Sequence, residues 1–143
     1  MAPLVAFELD YLTEFGSGGA RRPYLWLQVT GPEGNSLPIR GLIDTGADRS
    51  SLPAEYAALL RLDPSDVAIE TGQQVSGTFS VWTWPTTLQA FVIGQPEYAF
   101  EIHPTFTPGS LTGLWGRSDF LRLWNFVLDE GNQRLYLSSK VEA

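Results

Sequence analysis

The residues of this 143-residue chain with the most chemical content stand in one run, Gly41-Leu42-Ile43-Asp44-Thr45-Gly46-Ala47-Asp48. Two apolar residues at the end of a strand pattern deliver an aspartate into a sharp turn. Gly46 lets backbone and substrate approach closely, and the Thr45 hydroxyl can tie the turn down. A carboxyl group so placed is suited to general acid–base catalysis. The bland alternative is an ordinary Asx-turn, with Asp44 bonding the backbone two residues on. A bare Asp-Thr-Gly arises by chance in roughly a few per cent of chains this long, so its surroundings must decide.

The rest of the composition leaves carboxylate chemistry as the open class. The chain has no Cys and one His, His103, against sixteen Asp and Glu. The absence of Cys excludes disulfides, thiol catalysis and thiolate metal sites, and the single His argues against a His-based metal cluster or a Ser-His-Asp triad within one chain. No metal and no cofactor is expected. Nine Lys and Arg give a formal net charge of −7, which argues against a nucleic-acid or anionic-membrane partner. No apolar run is long enough to span a bilayer. The start, MAPLVAFELDYL, carries Glu8 and Asp10 and no basic residue, unlike a signal peptide, so the expected location is the cytoplasm.

The elements that must position Asp44 are short. The length suits one domain able to bury a core of its own. Five Trp, five Tyr and eight Phe, with ten Pro and fourteen Gly spread along the chain, read as many short strands joined by tight turns. Alternation predicts strands over Leu4–Tyr11, Tyr24–Thr30 and Leu37–Asp44, with a hairpin turn over Gly31–Ser36 and a Gly-rich loop over Thr13–Arg22. Pro53–Leu62 is the best helix, with Pro in its first turn and Asp63-Pro64 after it. Val67–Gly94 reads as one or two hairpins, and Tyr98–Phe106 and Gly113–Trp115 as strands. Ser118–Trp124 predicts about two helical turns with Ser118 as N-cap. Asn125–Asp129 and Arg134–Ser138 form a closing hairpin. The class is mostly β, a barrel or a sandwich.

Some seventy residues after the first motif comes Gly113-Leu114-Trp115-Gly116-Arg117-Ser118-Asp119-Phe120-Leu121. Together the two segments resemble the retroviral-type aspartic proteases, the retropepsin-like family. Leu42-Ile43-Asp44-Thr45-Gly46-Ala47 matches that family's apolar-apolar-Asp-Thr-Gly-Ala turn residue for residue. Leu114-Trp115-Gly116-Arg117 matches its later apolar-apolar-Gly-Arg segment, but Ser118 is inserted before Asp119-Phe120-Leu121, which leaves the partner of Asp119 open. Phe126–Asp129 and Arg134–Leu137 look like the family's final hairpin. The resemblance spans roughly residues 24–138.

The resemblance implies a single domain over residues 1–143, folded as a closed acid-protease β-barrel with one or two short helices. It implies an aspartic endopeptidase, in which two carboxylates a few ångströms apart share one proton. One acts as base toward a water and the other as acid toward the carbonyl oxygen, and the protons belong to the pair. This chain has one Asp-Thr-Gly, and Asp48, Asp119 and Asp129 are not followed by Thr-Gly or Ser-Gly. The second carboxylate is therefore expected from another copy, in an isologous homodimer. Asp44 is the catalytic residue in this reading, with Thr45 and Gly46 supporting the turn. Ala47 and Asp48 contact substrate, and Asp48 is expected to form a partly buried salt bridge with Arg117, which with Gly116 supports the site floor. Gly72–Trp84 falls where the family has its flap, with Ser76, Gly77 and Thr78 at a tip that covers an extended peptide substrate. A competing class is a non-catalytic retropepsin-like dimerisation or peptide-binding module. A third, an aspartyl-phosphate nucleophile, is weaker, because the only Lys is Lys140 and no parallel α/β pattern is present.

Overall fold

The computed structural model describes residues 6–13, 20–63, 68–74, 77–109 and 112–139, with backbone alone for 68–82. In chain order the strands are β1 (Ala6–Asp10), β2 (Leu12–Thr13), β3 (Arg21–Arg22), β4 (Tyr24–Thr30), β5 (Ser36–Ile43) and β6 (Ser51–Pro53). The helix α1 (Glu55–Leu59) follows. Then come β7 (Ala68–Gln74), β8 (Gly77–Thr83), β9 (Leu88–Val92), β10 (Phe100–Ile102), β11 (Thr105–Thr107), β12 (Gly113–Trp115), a 3-10 turn (Leu121–Leu123), β13 (Trp124–Asp129) and β14 (Arg134–Ser139). The fold is mostly β, as expected.

Alternation governs the central hairpin. Leu25, Leu27 and Val29 of β4 face the core beside Gly41, Ile39 and Leu37 of β5, while Trp26 and Arg40 face out. Nine strands then join in the order β10-β9-β4-β5-β12-β6-β11-β8-β7. This sheet is an open half-barrel. β10 and β7 are its edges, and no ladder joins them among the described residues. The closed barrel implied for the chain is thus not seen. A three-stranded sheet, β1-β14-β13, brings the first and last segments together. Its inner face carries Phe7, Leu9, Phe126, Leu128, Leu135 and Leu137, and its outer face Glu8, Tyr136 and Val127. Tyr11 clamps this sheet. Its ring is fully buried, its N–H donates to the Gln133 carbonyl and its hydroxyl to Glu130 at 3.0 Å.

The aromatic residues join the two sheets. Trp124 meets Phe7 at 5.8 Å and Phe100 at 5.9 Å between ring centroids, and Phe120 lies between Phe100 and Trp115. Trp115 is fully buried, and its indole N–H donates to the Leu25 carbonyl. Tilted and edge-on pairs of this kind add to the burial of their area. No helix among the described residues is long and apolar enough to cross a membrane.

Several expectations need correction. The helix is shorter than Pro53–Leu62, because Pro53 closes β6 in parallel pairing with Thr107. Its end is a Schellman cap: Arg61 is left-handed (φ 57°), and the Arg61 and Leu62 N–H groups return to the Ala58 and Ala57 carbonyls. Tyr98–Phe106 is not one strand. It breaks at His103-Pro104, where the proline has no N–H for a ladder. Arg21 and Arg22, expected in a loop, pair with Leu12 and Thr13. Leu4, Val5, Pro64 and the middle of the Gly-rich loop lie outside the described residues.

Ser118–Trp124 also differs. Trp124 is already extended, and the 3-10 turn starts after Phe120 with no side-chain cap. Here the inserted residue has a physical outlet. The Leu121 N–H donates to the Gly116 carbonyl at 2.9 Å and the Arg122 N–H to the Arg117 carbonyl at 3.0 Å. Both bonds span five residues, one more than an α-helix uses, so the chain absorbs Ser118 as a wide turn.

Candidate active site

Asp44 stands one residue beyond the end of β5. That strand pairs in parallel with β12, matching Gly41 to Gly113, Leu42 to Leu114 and Ile43 to Trp115. The ladder runs one step further, with the Asp44 N–H donating to the Trp115 carbonyl at 3.1 Å. The chain then turns sharply. Asp44 Oδ1 accepts the Gly46 N–H at 2.9 Å, and the Ala47 N–H donates to the Asp44 carbonyl at 3.3 Å. The Asx geometry considered as the bland alternative is therefore present, and it also orients the carboxylate. A Cβ at Gly46 would stand 3.3 Å from Asp44 Oδ1, crowding that oxygen. Thr45 and Gly46 are exposed and Asp44 is half-buried.

The second motif braces the first. The Arg117 N–H donates to the Ala47 carbonyl at 2.9 Å, and the Ser118 N–H to the Asp48 carbonyl at 2.7 Å. Close approach at Gly116 makes this possible. A Cβ there would lie 2.6 Å from the Arg49 oxygen and 2.8 Å from the Ser50 nitrogen. Gly41 allows a similar approach in β5, where it lies under the Trp115 ring. The two motifs, distant in the sequence, thus form one unit around residues 44–50 and 115–119.

Two residues at its centre were not singled out for the site from sequence. Asp119, 7% exposed, accepts from both the Ser50 N–H (3.0 Å) and the Ser50 hydroxyl (2.8 Å) at Oδ1, and from the His103 N–H (3.0 Å) at Oδ2. The Ser50 hydroxyl in turn accepts the Gly116 N–H at 3.0 Å. The one available signal was the insertion before Asp119, which left its partner undefined. His103 is structural here: its Nε2 meets the Trp84 carbonyl, which requires the proton on that nitrogen.

The expected partly buried Asp48–Arg117 salt bridge is corrected to a loose surface pair. The charged atoms are 3.9 Å apart, and the side chains are 96% and 66% exposed. The backbone of these residues, not their charges, supports the floor. Beside the turn lies an open groove of about 770 Å³, lined by Thr45, Asp48, Arg117, Ser118, Leu121 and Trp124 among others. Asp44 does not line it. Gly77 and Thr78 begin β8, which pairs with β7 in a hairpin whose last pair is Gln74 with Gly77. Ser76 lies outside the described residues. The hairpin reaches the site's sheet through β11 and β6. Among the described residues no group of three or more Asp, Glu or His side chains is placed to hold a metal ion.

A parallel strand bracing an Asp-Thr-Gly turn inside a half-barrel defines a retropepsin-like protein, and comparison agrees. The family described as retroviral aspartyl protease matches residues 20–129, and the chain belongs to that family. Among solved structures it is similar to a retropepsin-like aspartic protease from Rickettsia conorii. Identity is 22%, coverage is 96% of this chain and 94% of that one, and the TM-score is 0.66, so the two share a fold. No curated protein matches the chain.

Proposed function

We propose that the protein is an aspartic endopeptidase that acts as a homodimer, with Asp44 and its symmetry mate as the carboxylate dyad. The observation that carries this reading is the Asp44 turn: a carboxylate oriented by the Gly46 N–H and braced by the 115–118 segment. A module that only binds has no need of an ionisable group so placed. Two such carboxylates at a two-fold axis cannot both ionise freely. One takes a proton from a water as that water attacks the peptide carbonyl carbon, and the other gives its proton to the carbonyl oxygen. As the tetrahedral intermediate collapses, the carboxyl that took the water's proton gives it to the leaving nitrogen and the C–N bond breaks. The other carboxylate takes a proton back from a gem-diol hydroxyl, which leaves one proton on the dyad again.

The other residues take subsidiary roles in this proposal. Thr45, exposed beside the groove, bonds across the dimer, and Gly46 keeps the carboxylate uncrowded. Ala47 and Asp48 bind the substrate backbone, and the β7–β8 hairpin, with Ser76, Gly77 and Thr78, closes over an extended peptide.

The test is cleavage of a mixed peptide library over pH 3–7 by the wild type and by Asp44→Asn, with and without a statine-type inhibitor. Cleavage by the wild type alone, blocked by the inhibitor, is the expected result. Activity that survives Asp44→Asn removes the assignment. Monomers alone at the concentration where cleavage occurs would remove the shared dyad. Intact dimers with no cleavage at any pH would favour a dimerisation or peptide-binding module.

A further inference from the structure

Asp119 holds together three segments that are far apart in the chain. It accepts from residue 50, just after the Asp44 turn, and from residue 103, in the break between β10 and β11. It itself follows the 115–118 segment that braces the turn. All three of its bonds lie between 2.8 and 3.0 Å, and it is 7% exposed. No Lys or Arg is paired with it among the described salt bridges. The donors are two backbone N–H groups and one hydroxyl.

The direction of the Ser50 relay is set by counting hydrogens. A hydroxyl has one proton. Ser50 Oγ accepts the Gly116 N–H, so its own proton goes to Asp119 Oδ1. The resulting chain runs from the Gly116 N–H through the Ser50 hydroxyl to the Asp119 carboxylate. Gly116 is flanked by Trp115 and Arg117, whose backbone groups bond Asp44 and Ala47 directly. A shift of Gly116 therefore moves both straps on the turn at once.

We infer that Asp119, acting through Ser50 and Gly116, is a positioning residue that fixes the Asp44 carboxylate for reaction. The inference rests on the endopeptidase reading and adds a residue to it. Asp119 does not touch the reacting atoms; it holds the two backbone straps in register. Misplacement of a reacting group by about 1 Å can cost on the order of a hundredfold in rate. The effect belongs mainly in kcat, since the orientation of the Asp44 carboxylate governs the chemical step; the smaller change expected in KM comes through Ala47 and Asp48, which the same straps hold.

The relay also predicts which substitutions are graded. Asp119→Ala removes all three bonds. Asp119→Asn keeps an acceptor at Oδ1 for Ser50 but sets an NH2 group against the His103 N–H, losing one bond. Ser50→Ala removes the hydroxyl step and leaves the Ser50 N–H donor in place. Because Ser50 and Asp119 act as one unit, their effects on rate should not multiply.

The experiment measures kcat and KM for wild type, Asp119→Asn, Asp119→Ala, Ser50→Ala and Asp119→Ala/Ser50→Ala, each shown to be folded and equally oligomeric. We expect about a hundredfold loss of kcat in Asp119→Ala and about tenfold in Asp119→Asn and in Ser50→Ala. KM should stay within about threefold, and the double variant should be no worse than Asp119→Ala. Equal loss in kcat and KM, full activity in Asp119→Ala, or multiplicative losses would overturn the role. If Asp119→Ala does not fold, Asp119→Asn and Ser50→Ala carry the same test. Amide hydrogen exchange separates this from failure of the protease reading, since it needs no activity. In Asp119→Asn the amides of Asp44, Arg117 and Ser118 should exchange at least tenfold faster, with β13–β14 unchanged. Unchanged exchange at those three amides sinks the proposal even if the wild type cleaves no peptide.

Discussion

The close approach at Gly116 gives the sharpest test of how the site is held. In Gly116→Ala the new Cβ falls 2.6 Å from the Arg49 oxygen and 2.8 Å from the Ser50 nitrogen, where ordinary contact begins near 3.4 Å. Both are backbone atoms, so no side chain can swing aside. The backbone conformation at 116 is not left-handed, so the penalty is steric and not conformational. Relief needs the two segments to separate by several tenths of an ångström. That stretches the Gly116 N–H to Ser50 Oγ bond from 3.0 Å beyond useful hydrogen-bond range. Overpacking of a tight site costs about 1–3 kcal/mol, and a buried bond left unmade adds roughly 1 kcal/mol. The expected loss is therefore about 2–4 kcal/mol, a large fraction of a typical stability of roughly 5–15 kcal/mol. Urea unfolding measures it: with a slope near 2 kcal/mol per molar, the midpoint should fall by about 1–2 M. Gly113→Ala is the control, because its Cβ meets Leu52 at 3.2 Å and the Arg40 oxygen at 3.3 Å, a mild crowding. It should cost less than about 1 kcal/mol. A Gly116→Ala midpoint indistinguishable from wild type, or equal losses in the two variants, would refute the reasoning.

Three other perturbations test the packing and charge of the fold. Burial, and then the bond to Glu130, push the Tyr11 phenol up to about 12. A raised value stabilises the fold fully below pH 10 and loses that contribution as pH climbs from 10 through 12, so alkaline unfolding should begin in that window and flatten in Tyr11→Phe. Denaturation curves at pH 9 and 11 check this, and an equal alkaline loss in Tyr11→Phe refutes it. Asp129 is held below the ordinary aspartate range by the Asn132 side chain first and the Asn132 N–H second. Its contribution is present above the ordinary value and is lost as pH falls through the lowered one. Asn132→Ala should raise the Asp129 titration some of the way, as followed by carboxyl NMR, and an unmoved titration contradicts the assignment. Arg117→Ala removes only a loose surface pair and should change the melting temperature by no more than about 2 °C. A larger drop would show that the side chain, and not the backbone, carries the floor.

How much of this was legible depended on the range of the interaction. The Asp44 turn was legible because its bonds close within three residues, from Gly46 N–H to Asp44 Oδ1 and from Ala47 N–H to the Asp44 carbonyl. The β4–β5 and β13–β14 hairpins were legible for the same reason, since alternation and adjacent turns define them. The Asp48–Arg117 pair was legible as a pair but not as an exposed one, because exposure depends on what else covers the two side chains. Boundaries failed where long-range partners intervened. Pro53 was taken into a parallel pairing with Thr107, and Trp124, expected to end a helix over Ser118–Trp124, instead opens β13 opposite Ser139.

The sequence by itself determined the chemistry on offer: carboxylates without thiols or a histidine cluster, one Asp-Thr-Gly turn at the end of an apolar strand, and a second motif to set beside it. Only the tertiary structure decided how that turn is held. Ser50 and Asp119 stand 69 residues apart, and Trp115 and Leu25 stand 90 apart. No periodicity or local propensity encodes which of many polar groups will meet at such separations. The meeting is settled when the sheet places β12 between β5 and β6, where glycine at 116 lets the backbones close to bonding distance and glycine at 41 leaves room for the Trp115 ring.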